Sequence, residues 1–260
     1  MKIKILLLLL SIICFTNCKN NKEKKDIDEI KMIAEVVEKP TLKIHPIEHA
    51  SVVLEFGDLT IFIDPTLGAT AYKDFNKPDF IVITDIHGDH MNIETLIALD
   101  LKTTKILAPK AVAEQLPEEL KSNVVIINNG EIKNFVSFMI EAIPMYNLRQ
   151  EALKFHEKGR GNGYVFTFSG ERVYFSGDTE DIPEMRALKN IDKAFVCMNL
   201  PYTMTVESAA SAVLEFKPKQ VYPYHYRGQG GLSDVEKFKS IVHEANPNIE
   251  VVQLDWYPKS

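Results

Sequence analysis

Four side chains able to hold a metal ion fall within six residues of this chain: Asp85, His87, Asp89 and His90. They follow Phe80 to Thr84, an apolar, β-branched run with the length of a buried strand. In an extended segment Asp85 and His87 point the same way, and Gly88 lets the backbone turn so that Asp89 and His90 approach the same point from another direction. Imidazole and carboxylate are the groups that hold zinc, iron or manganese. A polar turn that merely capped the helix expected over residues 92–101 would need one such side chain, not two histidines and two aspartates. The chemistry indicated is metal binding at a strand end.

Three further strands end in a residue of the same kind. Leu59–Ile63 runs into Asp64-Pro65, Arg172–Ser176 into Gly177-Asp178-Thr179, and Gln220–Tyr224 into His225. Each signal is weak alone, since a strand followed by Gly-Asp-Thr reads like any turn. Their order gives them weight. Asp85–His90 resembles the His-x-His-x-Asp-His motif of the metallo-β-lactamase fold superfamily, with Asp85 where that motif has its first histidine. Gly177-Asp178-Thr179 resembles the family's Gly-Asp-Thr turn, and His225 matches its strand-terminal histidine.

The resemblance implies one or two divalent ions, zinc first, with manganese or iron an alternative at the first position. It implies that Asp89, His90 and His225 hold the second metal, that Asp178 bridges, and that His87 with Asp85 holds the first. Asp64 matches an aspartate that supports the ligand loop from behind. Asn147 stands where many relatives supply another histidine, and His156 follows nine residues later as a further metal or substrate group. Asp89 and Asp178 are the catalytic candidates. The implied reaction is metal-assisted hydrolysis, in which a hydroxide held by the metals attacks a carbonyl or phosphoryl centre. The group concerned includes relatives of ascorbate-phosphate lactonase, so a small, anionic ester, lactone or phosphodiester is expected. A non-catalytic metal-binding or ligand-binding envelope lipoprotein on the same fold is the alternative, motivated by Asp85 and Asn147.

The elements that must position these groups alternate strand-rich and helical stretches. Strands are expected at 42–44, 52–56, 59–63, 80–84, 105–108, 124–127, 135–143, 164–168, 172–176, 194–198, 220–224 and 249–254, with helices at 92–101, 111–120, 205–216 and 234–244. This order fits the α/β class and, by the resemblance, the four-layer αββα sandwich of the metallo-β-lactamase fold over about residues 41–255. The long irregular loop of the chain, 144–163, carries Lys158, Arg160 and glycines at 159, 161 and 163. It reads either as an anion-accepting rim, joined by Arg227, or as a glycine-rich hairpin with solvated basic residues. His49, just before the second strand, either faces the site or sits in an ordinary turn.

Composition bounds the remaining choices. A chain of 260 residues with 45% hydrophobic content can bury one sizeable core. Lys2 and Lys4 followed by apolar Ile5–Ile13 read as an export signal too short to span a bilayer. Residues 1–17 are therefore expected to be a signal peptide, Cys18 a lipidated cysteine like that of a bacterial lipoprotein, 18–40 a charged tether and 41–260 the hydrolase domain. Cys14 or ordinary cleavage remains an alternative, because Asn17 departs from the usual small-residue pattern. Removing the signal moves the formal charge from 30 − 36 = −6 to 28 − 36 = −8, which disfavours nucleic acid as a partner. The expected partners are a small-molecule substrate and, through the lipid, a membrane surface outside the cytoplasm. Cys197, in an apolar run, reads as a core residue with no disulfide mate.

Overall fold

A computed structural model of the chain describes residues 39–258, so the expected leader, Cys14, Cys18 and nearly all of the charged tether lie outside the described residues. From Thr41 onward the chain forms one unit. Its first half contains β1 (Leu42–Glu48), β2 (Ser51–Phe56), β3 (Leu59–Ile63), β4 (Phe80–Val82), β5 (Lys105–Ala108) and β6 (Val124–Ile126), paired side by side in that order. The pairings of β1 to β3 are antiparallel and those of β3 to β6 parallel. Three short helices intervene: α1 (Ile93–Ala98), α2 (Lys110–Gln115) and α3 (Glu118–Lys121).

The second half supplies β7 (Ile132–Asn134), β8 (Met139–Met145), β9 (Gly161–Phe168), β10 (Glu171–Phe175), β11 (Lys193–Val196), β12 (Gln220–Pro223) and β15 (Glu250–Val251). They form a seven-stranded sheet in the order β15-β12-β11-β10-β9-β8-β7, and a small hairpin, β13 (Arg227–Gly228) with β14 (Gly231–Leu232), stands apart. Its helices are α4 (Pro183–Arg186), α5 (Val206–Phe216) and α6 (Val235–Ala245).

Side-chain parity builds the layers. Val52, Leu54, Ile61, Ile63 and Val82 share one core with Ile140, Tyr164, Phe166 and Phe175 of the second sheet. The residues between them, Val53, Phe62 and Ile81, pack with Leu96, Val112 and Leu120 of the first-half helices. On the other side Tyr174 meets Phe216 of α5 edge to face, with ring centroids 6.2 Å apart. The result is the αββα sandwich, in which each fully buried aliphatic or aromatic side chain contributes about 1.5–3 kcal/mol. Asn92, Thr205 and Asp234 cap α1, α5 and α6 by accepting from Thr95, Ser208 and Lys237 amides.

Three expected elements differ. The helix expected over 111–120 is divided because Pro117, lacking an N–H, restarts the chain as α3. The strand expected over 135–143 becomes β7 and β8, separated by a turn closed by Phe135 N–H donating to the Phe138 carbonyl at 2.8 Å. Strand β9 begins at Gly161, inside the stretch expected to be loop. Gly163 is required there: a Cβ would lie 2.7 Å from the Ser176 carbonyl oxygen.

Candidate metal centre

In both sheets the parallel strands end on the side where ligands collect in open α/β folds. Asp64 follows β3, residues 85–90 follow β4, Asp178 follows β10, Asn199 follows β11 and His225 follows β12. Asp89, His90, Asp178 and His225 converge, each offering one donor atom within 4.8 Å of all the others, and Asp85, His87 and His156 form a second such group. His225 Nε2 lies 3.2 Å from Asp178 Oδ1, 3.4 Å from Asp89 Oδ2 and 3.1 Å from His90 Nε2.

The donor set fits a divalent cation. Asp64 holds the His90 ring from behind: its Oδ2 lies 2.8 Å from His90 Nδ1 and accepts the Thr84 hydroxyl at 2.6 Å, while Oδ1 accepts the Thr84 amide at 2.8 Å. A proton on Nδ1 leaves a lone pair on His90 Nε2, aimed at the Asp178 carboxylate 3.4 Å away. Asp178 Oδ1 is buried and, despite its nearness to His225, makes no aligned hydrogen bond. Acceptors gathered around one point need positive charge between them. The same demand appears in the titrations: burial opposes charge on His90, but the Asp178, Asp89 and Asp64 carboxylates outweigh it and drive its pKa well above the usual value. Asp178 is driven well below the carboxylate range, since His225 and His90 overcome the penalty of burial. Asp89, 44% exposed at the mouth, is lowered in the same way by His90, His225 and His49.

His49 faces the site. Its Nδ1 meets the Tyr257 hydroxyl at 2.7 Å and its Nε2 lies 3.4 Å from Asp89 Oδ2. Burial, aided by His225, lowers its pKa against the pull of Asp89. His49, Asp64 and His225 all adopt left-handed backbone, with φ of 58°, 45° and 46°. Side chains other than glycine accept that conformation at a cost of order 1 kcal/mol, so these three positions carry backbone strain.

At the first position Asp85, His87 and His156 come together, and Asp85 is also paired with an arginine. Asp85 gives both oxygens to Arg160, which donates from Nε at 3.1 Å and from Nη2 at 2.9 Å, and Asp85 Oδ2 also lies 2.6 Å from His87 Nδ1. Burial works against the ionised form, but the His87 and Arg160 hydrogen bonds prevail and push the Asp85 pKa down to about 2. Asp85 thus has its oxygens occupied by protein donors. Asn147 Nδ2 donates to the Ala152 carbonyl at 2.9 Å and the Tyr202 carbonyl at 2.7 Å, and its backbone N–H to the His156 carbonyl, while its Oδ1 is buried with no hydrogen bond among the described residues. It staples the 147–160 loop, and the loop delivers His156, whose Nε2 lies 3.3 Å from Asp178 Oδ2. An imidazole is therefore supplied from a different place in the chain.

The cations expected to form an anion-accepting rim are otherwise engaged. Lys158 pairs with Glu184 at 3.0 Å and lies over the Tyr146 ring, Arg160 is committed to Asp85, and Arg227 pairs with Glu48 at 3.2 Å while stacking on Tyr257. None of the three lines the cavity of about 380 Å³ that opens over the cluster, whose walls are His87, Asp89, Phe155, His156, Asp178, Asn199 and Tyr202. The basic residues follow carboxylates brought near by folding, and their spacing in the chain carried no trace of those partners. Phe155, Asn199, Tyr202 and Tyr257 also escaped the sequence reading, because isolated aromatic and amide residues have no local signature. Cys197 is buried with its thiol pushed up to about 12 by desolvation and the nearby Asp178.

A protein from Parabacteroides distasonis, described as a metal-dependent hydrolase, has a crystal structure that matches with a TM-score of 0.74 and 37% identity, covering 83% of this chain and 94% of that one. Curated relatives called UPF0173 metal-dependent hydrolases include one from Thermococcus onnurineus, 30% identical over 212 residues, and one from Pyrococcus abyssi, 29% identical over 212 residues. Each alignment covers 77% of this chain and 92% of the relative. The profile of the β-lactamase superfamily domain matches residues 34–226. The chain belongs to the metallo-β-lactamase superfamily, within the group of UPF0173 metal-dependent hydrolases.

Proposed function

We propose that this protein hydrolyses a small ester, lactone or phosphodiester, using one or two divalent ions of which zinc is the first choice. The observation that supports this most directly is the convergence of Asp89, His90, Asp178 and His225 from separate strand ends, with Asp64 fixing His90 in the tautomer that turns a lone pair inward. A divalent ion held there supplies Lewis acidity and a water acidic enough to attack near neutral pH. The protein's own groups do the remainder. Asp178 lies between His225 and His156, so one carboxylate faces both groups of ligands. Asp89 sits at the solvent-facing mouth, placed to accept a proton from the attacking water and release it outward, and His49 with Tyr257 holds its orientation. The first position is the group Asp85, His87 and His156, with Asp178 beside His156, and because Arg160 also draws on the Asp85 carboxylate it binds its ion more weakly than the second.

Metal content and hydrolysis measured together test this reading. The purified parent should retain at least one tightly held ion and hydrolyse a methyl ester, a lactone or a phosphodiester. Asp178→Ala and His225→Ala should lose the ion and the activity together. A parent that holds its metal and turns over none of these compounds is instead a binding protein on the same fold. We further propose that the chain is exported and anchored through Cys18 as a bacterial lipoprotein; labelling of the full chain with a fatty acid, abolished in Cys18→Ser, is the expected result.

A further inference from the structure

Beyond the ion or ions the cluster would hold, the wall of the cavity over it carries no lysine or arginine. Phe155 and Tyr202 form one aromatic wall, packed edge to face with centroids 5.1 Å apart. An aromatic pair on the wall of a concave site is a surface suited to apolar atoms. Lys154 lies 5.0 Å from the Phe155 ring centroid but is not among the lining residues, and Arg149 is spent on Glu180, Glu151 and the carbonyls of Pro201 and Thr203. Asn199 is the amide on the cavity wall. Its Oδ1 takes the Thr203 hydroxyl at 2.5 Å, which leaves Nδ2 as a donor with no hydrogen bond among the described residues.

From this we infer that the substrate is an uncharged carboxylic ester or lactone bearing a flat apolar group, which lies against Phe155 and Tyr202 while its carbonyl oxygen accepts from Asn199 Nδ2. The inference rests on the hydrolase reading and narrows it, removing phosphodiesters and carboxylate-bearing esters. The reaction balances with water alone: the water oxygen bonds to the acyl carbon, the acyl–oxygen bond breaks, and a water proton leaves on the departing alkoxide. The products are a carboxylic acid and an alcohol, and no redox partner is involved.

Four probes on the metal-loaded full chain test it: methyl phenylacetate, methyl 4-carboxyphenylacetate, methyl acetate and bis(4-nitrophenyl) phosphate. The first should exceed the second in kcat/KM by about tenfold or more, because the added carboxylate would be desolvated without a partner. It should exceed methyl acetate by about tenfold through the aromatic contact, and Phe155→Ala should reduce that margin mainly through KM. Asn199→Asp, which keeps the Thr203 bond and removes the donor, should lower kcat for methyl phenylacetate by about a hundredfold. Calorimetry supplies a readout independent of turnover: phenylacetamide should bind more tightly than 4-carboxyphenylacetamide, and Phe155→Ala should weaken phenylacetamide by about tenfold. Faster turnover of the carboxylate ester or the phosphodiester, or tighter binding of 4-carboxyphenylacetamide, overturns the inference and leaves the hydrolase reading standing. Turnover of none of the four, with phenylacetamide still bound through Phe155, overturns the hydrolase reading while the character of the cavity holds.

Discussion

Removing Arg160 should expose how the first position is held together. Asp85 is fully buried and its folded pKa of about 2 lies below the ordinary value of 3.8, so its ionised form is favoured by roughly 2–3 kcal/mol in the native state even after desolvation is counted. That advantage comes from two partners, His87 and the bidentate Arg160. In Arg160→Met the carboxylate keeps only His87, and breaking a buried pair by removing one member typically costs about 3–5 kcal/mol. Asp85→Asn should cost about 2–3 kcal/mol, and the double variant less than the two together, giving a coupling energy of about 2–3 kcal/mol. The assay is urea unfolding of the metal-free protein in the presence of a chelator, for parent, both single variants and the double. The sign with pH also follows. A folded pKa below the unfolded one gives stability that is present above pH 3.8 and lost as pH falls toward 2. In Arg160→Met burial lifts the Asp85 pKa, so the deficit relative to the parent is full at pH 7 and shrinks on acidification. A coupling energy near zero, or a deficit that grows as pH falls, would refute the account of Arg160 as the partner that keeps Asp85 ionised.

Other expectations follow from the same geometry. Asp64→Asn keeps the volume but weakens the group that fixes the His90 tautomer, and it should lower metal affinity about 10–100-fold in competition with a chromogenic chelator. The thiol of Cys197 should resist a thiol reagent at pH 8 in the folded protein and react once urea unfolds it, read by mass spectrometry of the peptide that carries it. Gly163→Ala should cost about 2–3 kcal/mol in urea unfolding, since its Cβ would press on the Phe175 and Ser176 carbonyls, which are backbone and yield little.

The layers were legible in the sequence because strand parity is local. Val52, Val53 and Leu54 alternate between two cores, and nothing beyond adjacent residues is needed to read that alternation. The second-position residues were legible for a related reason: Asp178 and His225 lie directly beyond a strand end and Asp89 and His90 in the dense polar turn after β4, so local pattern and site coincide. Elements ruled by a single backbone event were less so. Pro117 divides a helix, and a turn at 135–138 divides a strand, although the apolar pattern runs through both. The long loop was recognised by length and composition, while what it delivers depends on Asn147 bonding to Ala152, Tyr202 and His156, contacts that no spacing rule encodes.

The departure at Asp85 and the arginine at 160 explain one another. Placing a carboxylate at a fully buried strand end would cost several kcal/mol without a counter-charge, and the neighbouring residues offer none beyond His87. Folding brings Arg160 across from the far end of the loop, where its Nη2 also donates to the Phe155 carbonyl at 2.5 Å. One guanidinium therefore neutralises the buried aspartate and ties down the segment that carries Phe155 and His156. The change at the first ligand position, the arrival of an imidazole from the loop and the placing of an aromatic wall over the cavity are thus physically linked. Read singly in the sequence, Asp85 looked like a weakened ligand and Arg160 like a solvated or anion-binding cation. Together they form a neutral internal pair, which is why the positive charge expected at the rim is found beneath the site instead.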